Sequence, residues 1–229
     1  MLSEEKKHSV LAQIKAVLEG ETDMIARMAN AAALLHEGFG FWWTGFYRVL
    51  PTSGIKTGAR TEKGSGTEKS VWTEKGAGIE TGARTETDTG VSETGAELVL
   101  GPFQGPVACQ RIAFGRGVCG TAWKEARTIV VPDVEQFPGH IACSSESRSE
   151  VVVPLFGRVT QNRAEGCVMQ TLAEGSIAQT QGSEAGGSRA RQEVFAVLDI
   201  DSRELATFDE SDVPFLEEVA KVIASEANV

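Results

Sequence analysis

The sequence is short of the side chains from which metal centres and disulfide scaffolds are built: its 229 residues include three histidines, four cysteines and one tyrosine. No two cysteines form a Cys-x-x-Cys pair, and with so few histidines the usual spacings of a structural zinc site are missing. Four cysteines are also too few to staple a chain of this length, so they are expected to rest as thiols, any disulfide among them being transient or catalytic. Long apolar runs are lacking as well. No stretch approaches the roughly 18 apolar residues of a membrane span, and the opening Met1-Leu2-Ser3-Glu4-Glu5-Lys6-Lys7-His8 contains no signal-peptide core. A soluble, cytoplasmic protein that makes no membrane contact is expected. Basic residues are in deficit, 22 against 32 acidic ones for a net charge of -10. That balance argues against a surface that collects phosphates, and so against nucleic acid as a partner.

What is present is enough apolar residue, 41% of the chain, to build a core. The length is about one and a half typical domains, which fits a single domain, 1–229, carrying insertions. Val10, Leu11, Ile14, Val17 and Leu18 repeat with helical spacing behind Ser3 as N-cap, and Met24, Ile25, Met28, Ala32 and Leu35 mark a second helix with Gly38 just past its end. The aromatic and β-branched run Phe41 to Val49 then reads as the first strand.

From 51 to 95 the composition turns to Gly, Thr, Glu, Lys and Ser, with near-repeats such as Thr57-Gly58-Ala59-Arg60-Thr61-Glu62 and Thr81-Gly82-Ala83-Arg84-Thr85-Glu86. So little apolar surface cannot offset the entropy of ordering, which predicts a surface insertion. Strands are predicted at Glu97–Leu100 and Val107–Ile112, paired across a turn at Gly101-Pro102, then at Thr128–Val131, Glu150–Phe156 and Val194–Asp201, with a short helix near Gly117–Lys124. A second polar insertion, 157–192, carries Cys167, and a last helix from near Asp209 or Ser211 buries Val213, Leu216, Val219, Ala220 and Ile223. Strands clustered between helices at both ends, with mostly short links, predict one α+β domain with a central, mostly antiparallel sheet flanked by helices.

Three groups of residues could carry chemistry. Among the cysteines, Cys143 sits in a polar loop with Gly139, His140, Ser144 and Ser145, a setting in which a thiol can ionise, although an incidental loop cysteine would look the same; Cys109 and Cys119 read first as small buried apolar residues. Among the carboxylates, Asp199 and Asp201 stand two apart near the end of an apolar strand and therefore point to one face of the sheet, where Glu150 could join them. Such like charges favour holding a proton or a cationic ligand, although a solvated turn into Ser202 would look the same. Third, Gly115-Arg116-Gly117-Val118-Cys119-Gly120 matches a dinucleotide fingerprint, but the residues between Gly120 and Thr128 are too few for the parallel crossover that the fingerprint requires. No cofactor is expected.

Leu100-Gly101-Pro102-Phe103-Gln104-Gly105, Val107-Ala108-Cys109, Phe114 to Ala122, Val131-Pro132-Asp133-Val134 and Phe137-Pro138-Gly139-His140-Ile141-Ala142-Cys143 closely resemble the free methionine-(R)-sulfoxide reductases, small GAF-domain enzymes; the likeness continues through Ser149-Glu150, Leu198–Ser202 and Phe208-Asp209. The resemblance implies a GAF-like fold and thiol-dependent reduction of free methionine sulfoxide. It matches Cys143 to the catalytic cysteine and Cys109 and Cys119 to candidate resolving cysteines, Cys109 being the first choice. It matches Trp43, Tyr47, Glu150, Asp199 and Asp201 to substrate-binding residues, with Trp43 bordering the methyl-sulfur end, and leaves Cys167 without a counterpart. A thioredoxin-type reductant and a homodimer are also implied by it. Two other classes compete: a GAF module that binds and reports a small ligand without turnover, and an interaction protein working through the Thr/Gly/Glu-rich insertion. The cysteines together with the three carboxylates distinguish the enzyme, since a sensor has no need of them.

Overall fold

The computed structural model describes residues 2–52, 95–140, 146–159, 169–170 and 191–225. Cys143, Cys167 and most of both polar insertions lie outside these residues. The elements in order are α1 (Glu4–Leu18), α2 (Met24–Phe39), β1 (Trp43–Pro51), β2 (Ala96–Gln104), β3 (Arg111–Ile112), α3 (Gly117–Glu125), β4 (Ile129–Val131), a 3-10 turn (Val134–Gln136), β5 (Ser149–Val159), β6 (Met169–Gln170), β7 (Arg191–Ser202) and α4 (Val213–Ala224). The strands form one sheet in the order β3-β2-β1-β7-β5-β4, with β6 added to β5, and each pairing is antiparallel. The architecture is α+β. No helix among the described residues is long and apolar enough to cross a membrane.

Strand alternation divides the interior in two. Phe46 of β1, Val151, Val153 and Leu155 of β5, and Ala196, Leu198 and Ile200 of β7 face α1, α2 and α4, whose Ile14, Leu18, Met28, Leu35, Leu216 and Ile223 complete that core. On the opposite face Trp43, Tyr47, Val152 and Val197 pack with Val118, Cys119, Ala122 and Trp123 of α3. One face is thus purely structural. The other is covered by a single short helix and carries every charged side chain considered above.

Polar groups secure the helical layer. The buried Arg27 guanidinium donates to the carbonyls of Leu18 at 3.0 Å and of Ile223 and Val222 at 2.9 and 2.6 Å, so it supplies donors to carbonyls at the C-terminal ends of α1 and α4. Asp212 accepts from the Leu2 amide at 2.9 Å and lies 2.9 Å from Lys7 Nζ, which ties α1 to the start of α4.

Three local expectations are corrected. Gly38 lies inside α2, and the left-handed cap is Gly40 at φ 72°; a Cβ at Gly38 would sit 2.5 Å from Val10 Cγ2, so the missing side chain serves the α1–α2 approach instead. Gly101-Pro102 is strand: β2 runs through it, and Phe46 faces both residues in a bulge between the Gly45–Phe103 and Tyr47–Leu100 pairs. A bulge is where a strand tolerates a residue with no N–H. The strand predicted at 107–112 shrinks to Arg111–Ile112, although Gln110 still accepts from the Leu100 amide at 3.0 Å.

Candidate active site

Register assembles the acidic cluster. Glu150 of β5 lies directly opposite Asp201 of β7, and Val152 opposite Asp199; on the other side of β7, Trp43 pairs with Asp201 and Gly45 with Asp199. Directly opposed side chains on one face stand about 5 Å apart at Cβ, so the pairing alone forces like charges together. Helix α3 then closes over them. Cys119 Sγ comes 3.9 Å from Glu150 Oε1, and donor atoms of Cys119, Glu150 and Asp199 all lie within 4.8 Å of one another. Glu150 and Asp199 are each 6% exposed, and Asp199 Oδ1 has no hydrogen-bond partner.

Burial decides the protonation of this group. Desolvation, reinforced by Asp199 and Asp201, holds the Glu150 carboxyl well above the usual carboxylate range, and desolvation together with Asp201 does the same to Asp199. Asp201 is also raised by desolvation but only to about 6, because the Ser147 hydroxyl donates to it. Cys119 is pushed up by burial and by the same carboxylates, so it is a neutral thiol. Three acids and a thiol therefore share fewer negative charges than their number suggests.

Behind the acids stands an aromatic wall. The Trp43 ring stacks between Tyr47, at 6.1 Å between centroids, and Phe103, at 5.5 Å, and its indole N–H donates to the Pro106 carbonyl at 3.0 Å. Gly45 makes room for it, since a Cβ there would collide with the Trp43 ring and Phe103. The Tyr47 phenol is held protonated by burial and by the nearby acids.

Beside the acids lies a partly open cavity of about 400 Å³, open solvent included, lined by Cys119, Glu150, Asp199 and Asp201 together with Ile112, Arg116, Gly117, Val118, His140 and Ser147. The first turn of α3 borders it. Amides at a helix start have no intrahelical acceptor and favour negative charge, and the exposed Arg116 adds a cation beside them. Burial lowers the pKa of His140, which favours the neutral imidazole.

Of the site residues expected from sequence, Cys119, Glu150, Asp199 and Asp201 line this cavity, whereas Trp43 and Tyr47, 2% and 1% exposed, pack within the layer behind it. Cys109 is half-buried against the same apolar cluster and is half of a disulfide, while Cys119 is free; the other half lies outside the described residues. Cys143 also lies outside them. Its neighbours on either side, His140 and Ser147, both line the cavity. Sequence reasoning missed Arg116 and Ser147. The signal for Arg116 is the Gly-Arg-Gly approach to a helix, which has a use other than dinucleotide binding; Ser147 carries no signal beyond its nearness to Glu150.

A GAF-domain family model matches residues 23–226. GAF domain-containing protein A of Dictyostelium discoideum is 36% identical over 220 residues, covering 96% of this chain and 91% of that protein. Free methionine-R-sulfoxide reductase of Saccharomyces cerevisiae is 42% identical over 126 residues, 55% of this chain and 52% of that protein. Among solved structures, free methionine-R-sulfoxide reductase from Neisseria meningitidis in complex with its substrate superposes with a TM-score of 0.58 at 36% identity, covering 98% of this chain and 90% of that one. With an antiparallel sheet whose acid-bearing face opens on a small cavity, this chain belongs to the GAF-domain family, in the group that holds the free methionine-R-sulfoxide reductases.

Proposed function

We propose that the chain reduces free L-methionine (R)-S-oxide to methionine, with Cys143 as the attacking thiolate. The observation that carries this reading is a group of three carboxylates and a thiol, with Cys119, Glu150 and Asp199 buried and Asp201 partly so, lining a cavity that His140 and Ser147, on either side of Cys143, also line. A free amino acid fits such a site by charge. Asp201, the acid that ionises most readily, is placed to hold the ammonium group, and the start of α3 with Arg116 suits the carboxylate. A peptide-bound residue lacks that ammonium and would leave the acids without their partner.

The chemistry follows from protonation. A sulfoxide sulfur becomes electrophilic when its oxygen takes up a proton, and the Glu150–Asp199 pair retains one at neutral pH. The Cys143 thiolate forms a bond to that sulfur, the protonated oxygen passes to the cysteine, and methionine leaves, so that sulfoxide is reduced and Cys143 oxidised to a sulfenic acid. A second thiol displaces water from the sulfenic acid to give a disulfide, which a thioredoxin-type dithiol reopens by exchange. Cys109 is the resolving thiol in this reading. Its disulfide state and the free, neutral state of Cys119 favour that choice.

Incubating the reduced protein with each free methionine sulfoxide epimer, with Cys143→Ser as control, tests the proposal. Turnover of the R epimer that disappears in the variant is expected, followed by a Cys109–Cys143 bridge in mass spectrometry after a single turnover. No turnover, or turnover that survives the substitution, ends the enzyme reading; a bridge through Cys119 or Cys167 ends the resolver assignment.

A further inference from the structure

The buried thiol and carboxylates have the donor chemistry of a cation site. Cys119 Sγ and Glu150 Oε1 stand 3.9 Å apart, close to the roughly 3.5 Å that separates sulfur and oxygen around a tetrahedral Zn²⁺ with bonds of about 2.3 and 2.0 Å. Asp199 completes a set of three within 4.8 Å. One feature points to a missing ligand: Asp199 Oδ1 is buried without a hydrogen-bond partner. The three side chains also line a partly open cavity, which gives an ion a way in.

We infer that Cys119, Glu150 and Asp199 bind one thiophilic divalent cation, Zn²⁺ by its chemistry, and that its binding closes the cavity to substrate. One thiolate with two carboxylates selects zinc over Mg²⁺ or Ca²⁺, which take oxygen ligands alone and more of them. Binding releases the Cys119 proton and those shared among the acids, and a dication offsets the like charges that β5–β7 pairing drives together. The inhibitory part rests on the proposed function, because the cation takes Glu150 and Asp199, the pair assigned the proton for the sulfoxide oxygen. Positions 119, 150 and 199 are so far apart in the chain that no ligand-spacing pattern could reveal them.

The test uses the full chain, reduced and stripped with a chelator, and Co²⁺ as a spectroscopic stand-in. A variant with Cys109, Cys143 and Cys167 replaced by Ser keeps Cys119 as its one thiol. One equivalent of Co²⁺ is expected to raise a thiolate-to-cobalt band in the near ultraviolet, abolished by adding Cys119→Ala. In the wild-type chain, calorimetry should show Zn²⁺ affinity falling roughly tenfold or more with Cys119→Ala and with Glu150→Gln, since loss even of an outer-shell partner costs about 10- to 100-fold. A folded single-thiol variant without the band, or wild-type affinity indifferent to both substitutions, overturns the site. If the single-thiol variant does not fold, the wild-type calorimetry decides. Zn²⁺ bound by a chain that never reduces methionine sulfoxide sinks the reductase reading and leaves the site standing. Reductase turnover that persists at saturating Zn²⁺ overturns the inhibition.

Discussion

Asp201→Asn should make the protein more stable at neutral pH, by an amount that grows from pH 4 to pH 6. In the folded chain Asp201 is raised from 3.8 to about 6, chiefly by desolvation. Between those values the native state holds a proton that the unfolded chain has released, so stability falls as pH rises, and the whole cost is present once pH exceeds the folded value. At about 1.4 kcal/mol per pH unit of displacement the ceiling is about 3 kcal/mol. Asparagine does not titrate, can still accept from Ser147, and removes one charge facing Glu150. Asp201→Asn should therefore match the wild type near pH 4 and exceed it by about 2–3 kcal/mol at pH 7. For a domain of this size that corresponds to a melting temperature higher by roughly 4–12 °C. Urea unfolding of both proteins at pH 4, 5, 6 and 7 measures the difference directly. A stability difference that does not change with pH, or that favours the wild type increasingly as pH rises, would refute the account of the cluster. Turnover by Asp201→Asn should drop in the same preparation, since the acid that destabilises the fold is the one assigned to the substrate ammonium.

Glu150→Gln removes a proton donor while keeping shape, and should lower kcat by about 10²- to 10⁴-fold with the fold intact by circular dichroism; wild-type-like turnover would move the donor role elsewhere. Gly45→Ala drives a methyl group into the Trp43 ring and Phe103. It should cost about 1–3 kcal/mol in chemical denaturation and displace the aromatic wall, seen as a changed tryptophan emission. Arg27→Met removes a donor from the carbonyls of Leu18, Val222 and Ile223, the first two keeping a second one, and should cost about 1–3 kcal/mol in stability while leaving KM unchanged, because Arg27 lies on the helical side of the sheet.

Much of the fold was legible because its elements obey periods. The 3.6-residue repeats placed α1, α2 and α4, and alternation in β7 put Asp199 and Asp201 on one face before any pairing was known. The errors fell where a local signal has two uses. Gly38 looked like a helix terminator and instead relieves a crossing with Val10. Gly101-Pro102 looked like a turn and instead forms a bulge opposite Phe46. The acids themselves could be read individually, but their consequence could not. Whether two like charges on one face are solvated or forced to share protons depends on what covers them, and here the cover is α3, a helix that reaches this face only through tertiary packing. That packing is also what converts Cys119, from sequence either a buried apolar residue or a resolving thiol, into a neutral group lodged among carboxylates. Motif likeness picks out Cys119, Glu150, Asp199 and Asp201 as site residues, but not their protonation, because dehydration is a property of the face and its lid together. Its cost in stability, measured against pH, is therefore the most direct experimental signature that the face was built for charge.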